Sequence, residues 1–125
     1  MTVSAELVET LERLDLIYLK HRGRKTGREY STEISFAVDA DGVYLLANLE
    51  NGGRRPDWLL NALAAGEASF YAGTRLVSGQ VELLAGESIP RLQQQFRNRY
   101  GGEIVRRWYD PMQIVPVRIS ELKVV

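Results

Sequence analysis

Four Lys or Arg side chains and two glycines are packed into the eight residues His21-Arg22-Gly23-Arg24-Lys25-Thr26-Gly27-Arg28. Glycines let backbone N–H groups approach a ligand closely, and the cations add opposite charge and directed donors. The chemistry such a turn suits is the holding of an anion. A second basic pair, Arg54-Arg55, stands directly before Pro56-Asp57, where a helix is expected to start. Cations at a helix start oppose the macrodipole by about 0.3–1 kcal/mol each, so an anionic partner would account for them. From the residues alone, a solvated hairpin is the simpler reading of the first run, because short basic runs are common.

The elements that position these residues follow from periodicity. Ser4 reads as an N-cap with Leu7, Leu11 and Leu14 at helical spacing, predicting an amphipathic helix over 4–13. Strands are predicted at about 15–21, 30–38 and 43–49, the last two joined by the hairpin turn Asp39-Ala40-Asp41-Gly42. The basic run therefore turns between two strands. Pro56 and Asp57 open a helix that Gly66 closes, and two β runs follow at 68–72 and 75–84. A helix is predicted over 87–100, a shorter one over 103–109, and a final strand over 114–119, where Pro116 suggests an edge or a bulge. The pattern is α+β: a small barrel of about six mainly antiparallel strands with peripheral helices, in one domain over residues 1–125.

Composition narrows the function classes. The 16 basic and 16 acidic residues cancel, so anion binding must be local and a nucleic-acid partner is not expected. With no cysteine and one histidine, thiol chemistry and a metal site are not expected either. His21 reads as a strand-end side chain whose protonation the neighbouring cations disfavour. No apolar run approaches the roughly 20 residues of a membrane span, and the N-terminus lacks the pattern of a signal peptide, so a cytoplasmic location is expected.

Three segments, residues 18–28, 44–58 and 61–67, together resemble the deazaflavin-dependent nitroreductase family, small proteins with the split β-barrel fold of flavin-binding reductases. Tyr18-Leu19-Lys20-His21 through Arg28 resembles that family's strand and Gly-Arg-Lys-Ser/Thr-Gly turn. Tyr44-Leu45-Leu46-Ala47-Asn48 with Asn51-Gly52-Gly53-Arg54-Arg55-Pro56-Asp57-Trp58 resembles its strand, Gly-rich loop and Pro-x-Trp helix start. Asn61-Ala62-Leu63-Ala64-Ala65-Gly66-Glu67 resembles its Asn-Leu-x-x-Asn-Pro segment. Departures fall at Leu59-Leu60, where Tyr and His often follow the Trp, at Thr32-Glu33-Ile34, where Thr-Val-Pro is usual, and at Gly66-Glu67.

The resemblance implies coenzyme F420 as cofactor, a deazaflavin with a phosphate and an acidic oligoglutamate tail. It implies Arg24, Lys25, Arg28, Arg54 and Arg55 as partners of those anions, with Thr26 and Thr32 as hydroxyl donors. It sets Ala47, Asn48, Asn51 and Gly52 beside the tricyclic ring. Trp58 reads as core, since Leu59, Ala62 and Leu63 share its helix; it is also a substrate-pocket candidate with Trp108 and Tyr109, which form either an aromatic lid or a satellite core. Hydride transfer itself needs no acid or base, and Tyr109 is the candidate donor of the following proton. The expected acceptor is a quinone, nitroaromatic or enone. The alternatives are an FMN-binding split-barrel reductase, favoured less because cations stand in both loops, and a non-catalytic cofactor-binding protein. A free edge near 114–120 leaves homodimer pairing open, with Pro116 working against it.

Overall fold

The computed structural model describes residues 3–125. One sheet of seven antiparallel strands carries the fold: β1 (Ile17–Arg22), β2 (Glu29–Ile34), β3 (Ala37–Asp39), β4 (Gly42–Asn48), β5 (Glu67–Ala72), β6 (Arg75–Leu83) and β7 (Ile114–Val124). The helices are α1 (Ala5–Glu12), α2 (Asp57–Ala65), α3 (Ile89–Tyr100) and α4 (Gly102–Trp108). Ser4 caps α1 by accepting from Leu7 N at 3.2 Å, and Gly66 ends α2 in the left-handed conformation at φ 76°.

The strand order is β2-β1-β5-β6-β7-β4-β3, so β2 and β3 are the two edges of the sheet. Only Ser35 and Phe36 separate them in the chain. Seven flat strands would put those edges roughly 29 Å apart, whereas the three peptide steps from Ile34 to Ala37 reach at most about 11 Å. The sheet must therefore curl until its edges meet, and it forms a half-barrel with a seam between β2 and β3.

That seam corrects two expectations. The strand predicted over 30–38 is two strands, because Phe36 turns its backbone away from any ladder: its N–H donates to the Tyr100 hydroxyl at 3.1 Å and its C=O lies 3.1 Å from the same oxygen. The final strand is interior, between β6 and β4, so no free edge lies at 114–120. Pro116 is tolerated because its carbonyl accepts from Leu84 N at 3.0 Å. Its nitrogen faces the same side, beyond the last paired residue of β6, Leu83, so the β4 ladder loses no donor. Further along, β7 carries an extra residue opposite Gly79, with Glu121 at φ 52°, and this bulge bends the strand where a Cβ on Gly79 would lie 2.7 Å from Ser120 O.

Two apolar clusters hold the curl. Val43, Leu45 and Ala47 of β4 point inward with Leu19, Phe36, Phe70, Val77, Val117 and Ile119, joined by Leu7 and Leu11 of α1 and Leu59 and Ala62 of α2. Alternate β4 residues Tyr44 and Leu46 face a second cluster with Leu92, Phe96, Val105 and Tyr109 of the α3–α4 unit. The unbroken apolar run of β4 is thus explained by cover on both faces. Among the described residues no helix is long and apolar enough to cross a membrane.

The α3 C-terminus clamps the seam. The Tyr100 hydroxyl also donates to Asp15 O at 2.7 Å, while Arg99 stacks 4.2 Å from the Phe36 ring centroid and reaches Glu12 O at 3.3 Å. Tyr100→Phe leaves the Phe36 amide without its partner and is expected to destabilise the fold by about 1–3 kcal/mol in urea unfolding. A change below about 0.5 kcal/mol would mean that the hydroxyl does not hold the seam.

Candidate functional site

The turn between β1 and β2 closes on itself, with Gly23 N donating to Arg28 O at 2.8 Å and Gly27 N to Gly23 O at 2.9 Å. A Cβ on Gly23 would lie 2.7 Å from Thr26 Oγ1 and 2.8 Å from Tyr30 Cε2, so only glycine lets the turn pack against Tyr30. Against this turn lies the start of α2. Together they form a cleft of about 370 Å³ lined by His21, Arg24, Lys25, Thr26, Arg54, Asp57 and Asn61, with Gly23 and Tyr30.

The cleft is a charged constellation built over a buried polar one. Arg24 donates to Asn61 Oδ1 from its backbone N at 3.1 Å and from Nη1 at 2.7 Å. Its Nη2 reaches Asp57 Oδ1 at 3.3 Å, and Arg54 Nη2 reaches the same oxygen at 2.9 Å. The hydrogen bond from Arg24, then the charge of Arg54, hold the Asp57 carboxyl below the usual carboxylate range. Asp57 thus already supplies part of the anionic partner that Arg54 needs at the helix start. Three cations and one carboxylate line the cleft, and among the described residues the Lys25 ammonium has no ion-pair partner.

Beneath lies His21, 7% exposed, with Nδ1 3.1 Å from Asn61 Nδ2 and Nε2 2.9 Å from Thr32 Oγ1. It stands near the end of β1, as expected, but as a buried side chain with two partners. Burial, not the neighbouring cations, is the largest cause that lowers its pKa from the ordinary 6.5, and the Asp57 charge opposes it. Both His21 and Asn61 were legible: His21 continues the inward alternation of Ile17 and Leu19, and Asn61 is the one polar side chain within Trp58-Leu59-Leu60-Asn61-Ala62-Leu63.

A second cleft, of about 490 Å³, opens along the seam, lined by Thr32, Glu33, Ile34 and Ser35 of the β2 end, Leu46 and Asn48 of β4, and Leu16, Pro56, Trp58, Trp108 and Tyr109. Thr32, bonded to His21, joins it to the basic cleft, and the first turn of α2 gives Asp57 to one cleft and Pro56 and Trp58 to the other. Trp58 is half-buried against the main core as well. The Tyr109 hydroxyl is buried and donates to Ser35 Oγ at 3.1 Å, and burial pushes its pKa up. Trp108 stays 44% exposed, edge-on to Tyr109 at 6.3 Å between centroids.

The sequence candidates therefore divide. Arg24, Lys25, Thr26 and Arg54 line the basic cleft, and Thr32, Asn48, Trp58, Trp108 and Tyr109 line the seam cleft. Arg28, Asn51, Gly52 and Arg55 are exposed outside both linings, and Ala47 is a main-core residue. Sequence reasoning passed over His21, Asp57, Asn61 and Ser35. No cluster of three or more His, Cys, Asp or Glu that could hold a metal ion occurs among the described residues.

Acid should loosen this network. A neutral Nδ1 accepts from the Asn61 amide, whereas a protonated ring turns a donor toward a donor. Because the folded pKa is depressed, the unfolded chain binds more protons at pH below 6.5. Stability is then complete above that pH and is lost as pH falls through it toward the folded value. The His21 ring signal in an NMR titration is expected to have a midpoint below 6.5, and a midpoint above it would contradict the burial.

A family model described as F420H(2)-dependent quinone reductase matches residues 1–121. A comparison with curated proteins found no match. Among solved structures, the chain is similar to the conserved hypothetical protein Rv2991 from Mycobacterium tuberculosis, with TM-score 0.70 and 19% identity over 99% of this chain and 84% of that one. It is similar to HutZ, the heme storage protein from Vibrio cholerae, with TM-score 0.69 and 14% identity over 99% and 95%. It is also similar to an F420-H2 dependent reductase, FDR-A, with TM-score 0.59 and 16% identity over 83% and 93%. At these identities the structures establish the split-barrel fold.

Proposed function

The chain belongs to the F420H(2)-dependent quinone reductase family, and we propose that it passes a hydride from reduced coenzyme F420 to a small planar acceptor, a quinone, nitroaromatic or enone, held along the seam. Membership makes it an oxidoreductase with coenzyme F420 as its cofactor. The observation that carries the residue assignments is the junction of two unlike clefts at the first turn of α2. One is lined by three cations and one carboxylate, the other largely by apolar and aromatic side chains. A cofactor with an anionic tail and a tricyclic ring needs both.

The donor set fits that cofactor. Arg24, Lys25, Arg54 and Thr26 would hold the phosphate and nearest tail carboxylates, with exposed Arg28 and Arg55 along the outer track. Thr32, Asn48, Asn51 and Gly52 would border the ring, and Ala47 would act from beneath by keeping the β4 surface low. When bound, the reduced deazaflavin supplies the hydride. The chain's part is to orient ring and acceptor and to exclude water, which falls to Trp58 and Trp108. Tyr109 lines this cleft, but its hydroxyl, kept protonated by burial, is engaged by Ser35; solvent or this pair delivers the proton that follows.

Fluorescence titration with oxidised F420, with FMN in parallel, tests the assignment. Tight binding of F420 is expected, weakened tenfold or more, about 1.4 kcal/mol, by Lys25→Ala or Arg54→Ala, and weakened by salt in the wild type. Binding of FMN alone, or no effect of either substitution, would contradict it.

A further inference from the structure

The hydrogen bonds around His21 run in one direction. Arg24 has donors only, so the Asn61 atom that it meets at 2.7 Å and 3.1 Å is the carbonyl Oδ1. That leaves the Asn61 amide facing His21 Nδ1 at 3.1 Å, and Nδ1 must accept. The hydrogen of a neutral ring is then on Nε2, which donates to Thr32 Oγ1 at 2.9 Å. Thr32 has one hydroxyl hydrogen left, and no acceptor for it occurs among the described residues. Thr32 lines the seam cleft. Ser35, also on that lining, is placed alike: it accepts from Tyr109 at 3.1 Å and keeps its own hydrogen.

We propose that Thr32 is held as a hydrogen-bond donor to a carbonyl oxygen of the bound deazaflavin ring, and that Asn61 and His21 are positioning residues that fix this polarity from Arg24. The inference rests on reading the seam cleft as the deazaflavin site. The arginine that faces the cofactor's anionic part thereby also sets the donor that meets its ring, through Asn61, His21 and Thr32. A carbonyl there replaces the water that would otherwise satisfy Thr32, and a ring without an acceptor at that place leaves a hydroxyl unpaired, which is the stronger source of discrimination.

The test has one arm without ligand and one with it. In ligand-free protein above pH 7, ¹⁵N NMR of His21 is expected to show the Nε2-protonated tautomer, and Asn61→Leu is expected to release that preference. For the ligand arm the probe is the deazaflavin chromophore lacking phosphate and glutamates, so that direct contacts to Arg24 drop out. Thr32→Val should weaken its binding about five- to tenfold, and Thr32→Ser should stay within about twofold of wild type. Asn61→Leu should weaken it too, with no further loss when combined with Thr32→Val. Should Asn61→Leu fail to fold, the wild-type tautomer and the Thr32 pair decide. A Nδ1-protonated ring, binding to Thr32→Val within about twofold of wild type, or no binding of the chromophore by the wild type overturns the inference. If the wild type binds complete F420 and Thr32→Val does so equally well, this inference falls and the proposed function stands. Failure of the wild type to bind F420 at all removes both.

Discussion

The fold depends on a two-residue link. Ser35 and Phe36 join the opposite edges of a seven-strand sheet, and a link that short leaves the sheet no choice but to curl. Both members are then put to use at the seam. Phe36 fills the core and gives its backbone to Tyr100, while Ser35 accepts from Tyr109. The seam cannot be laddered shut, because the chain is turning there, and it remains a cleft. Its lining comes from the end of β2 on one side and from β4 and the α4 end on the other. The candidate site is where the sheet fails to close.

The α2 start turns this cleft into half of a larger site. Arg54 precedes the helix and Asp57 lies in its first turn, so a carboxylate favoured by the helix dipole anchors two arginines from different segments, Arg24 and Arg54. These are exposed or half-exposed ion pairs and add little stability. Their effect is on geometry: the guanidinium groups are gathered at one point before any ligand arrives, while Lys25 remains uncommitted. On the proposed reading an incoming anion would share the arginines with Asp57, so its affinity would follow the surplus of positive charge rather than the total.

Much of this was legible in the residues. The basic turn, the cap at Ser4, the helix stop at Gly66 and the β4 run each rest on local chemistry, and local chemistry survives folding. The seam was not legible, because Tyr30 through Val38 alternates well enough to pass as one strand, and what splits it is a hydroxyl 64 residues away. Pro116 misled for a related reason: an interior strand tolerates proline where its neighbour ends, which no window around Pro116 reveals. In the site, attention to exposed cations found Arg24 and Arg54 but passed over the buried pair beneath them. His21 and Asn61 were marked only by polarity at positions whose periodicity is apolar, and their roles depend on which partner each one meets.

On the proposed reading the basic cleft and the seam cleft are one site, joined at α2 and Thr32. A crystal structure of the complex with oxidised F420 tests it most directly. Phosphate density is expected within hydrogen-bonding distance of Arg24, Lys25 or Arg54, with the tricyclic ring along the seam beside Thr32 and Trp58. A cofactor whose ring lies elsewhere, or whose phosphate is held by neither basic loop, would contradict it.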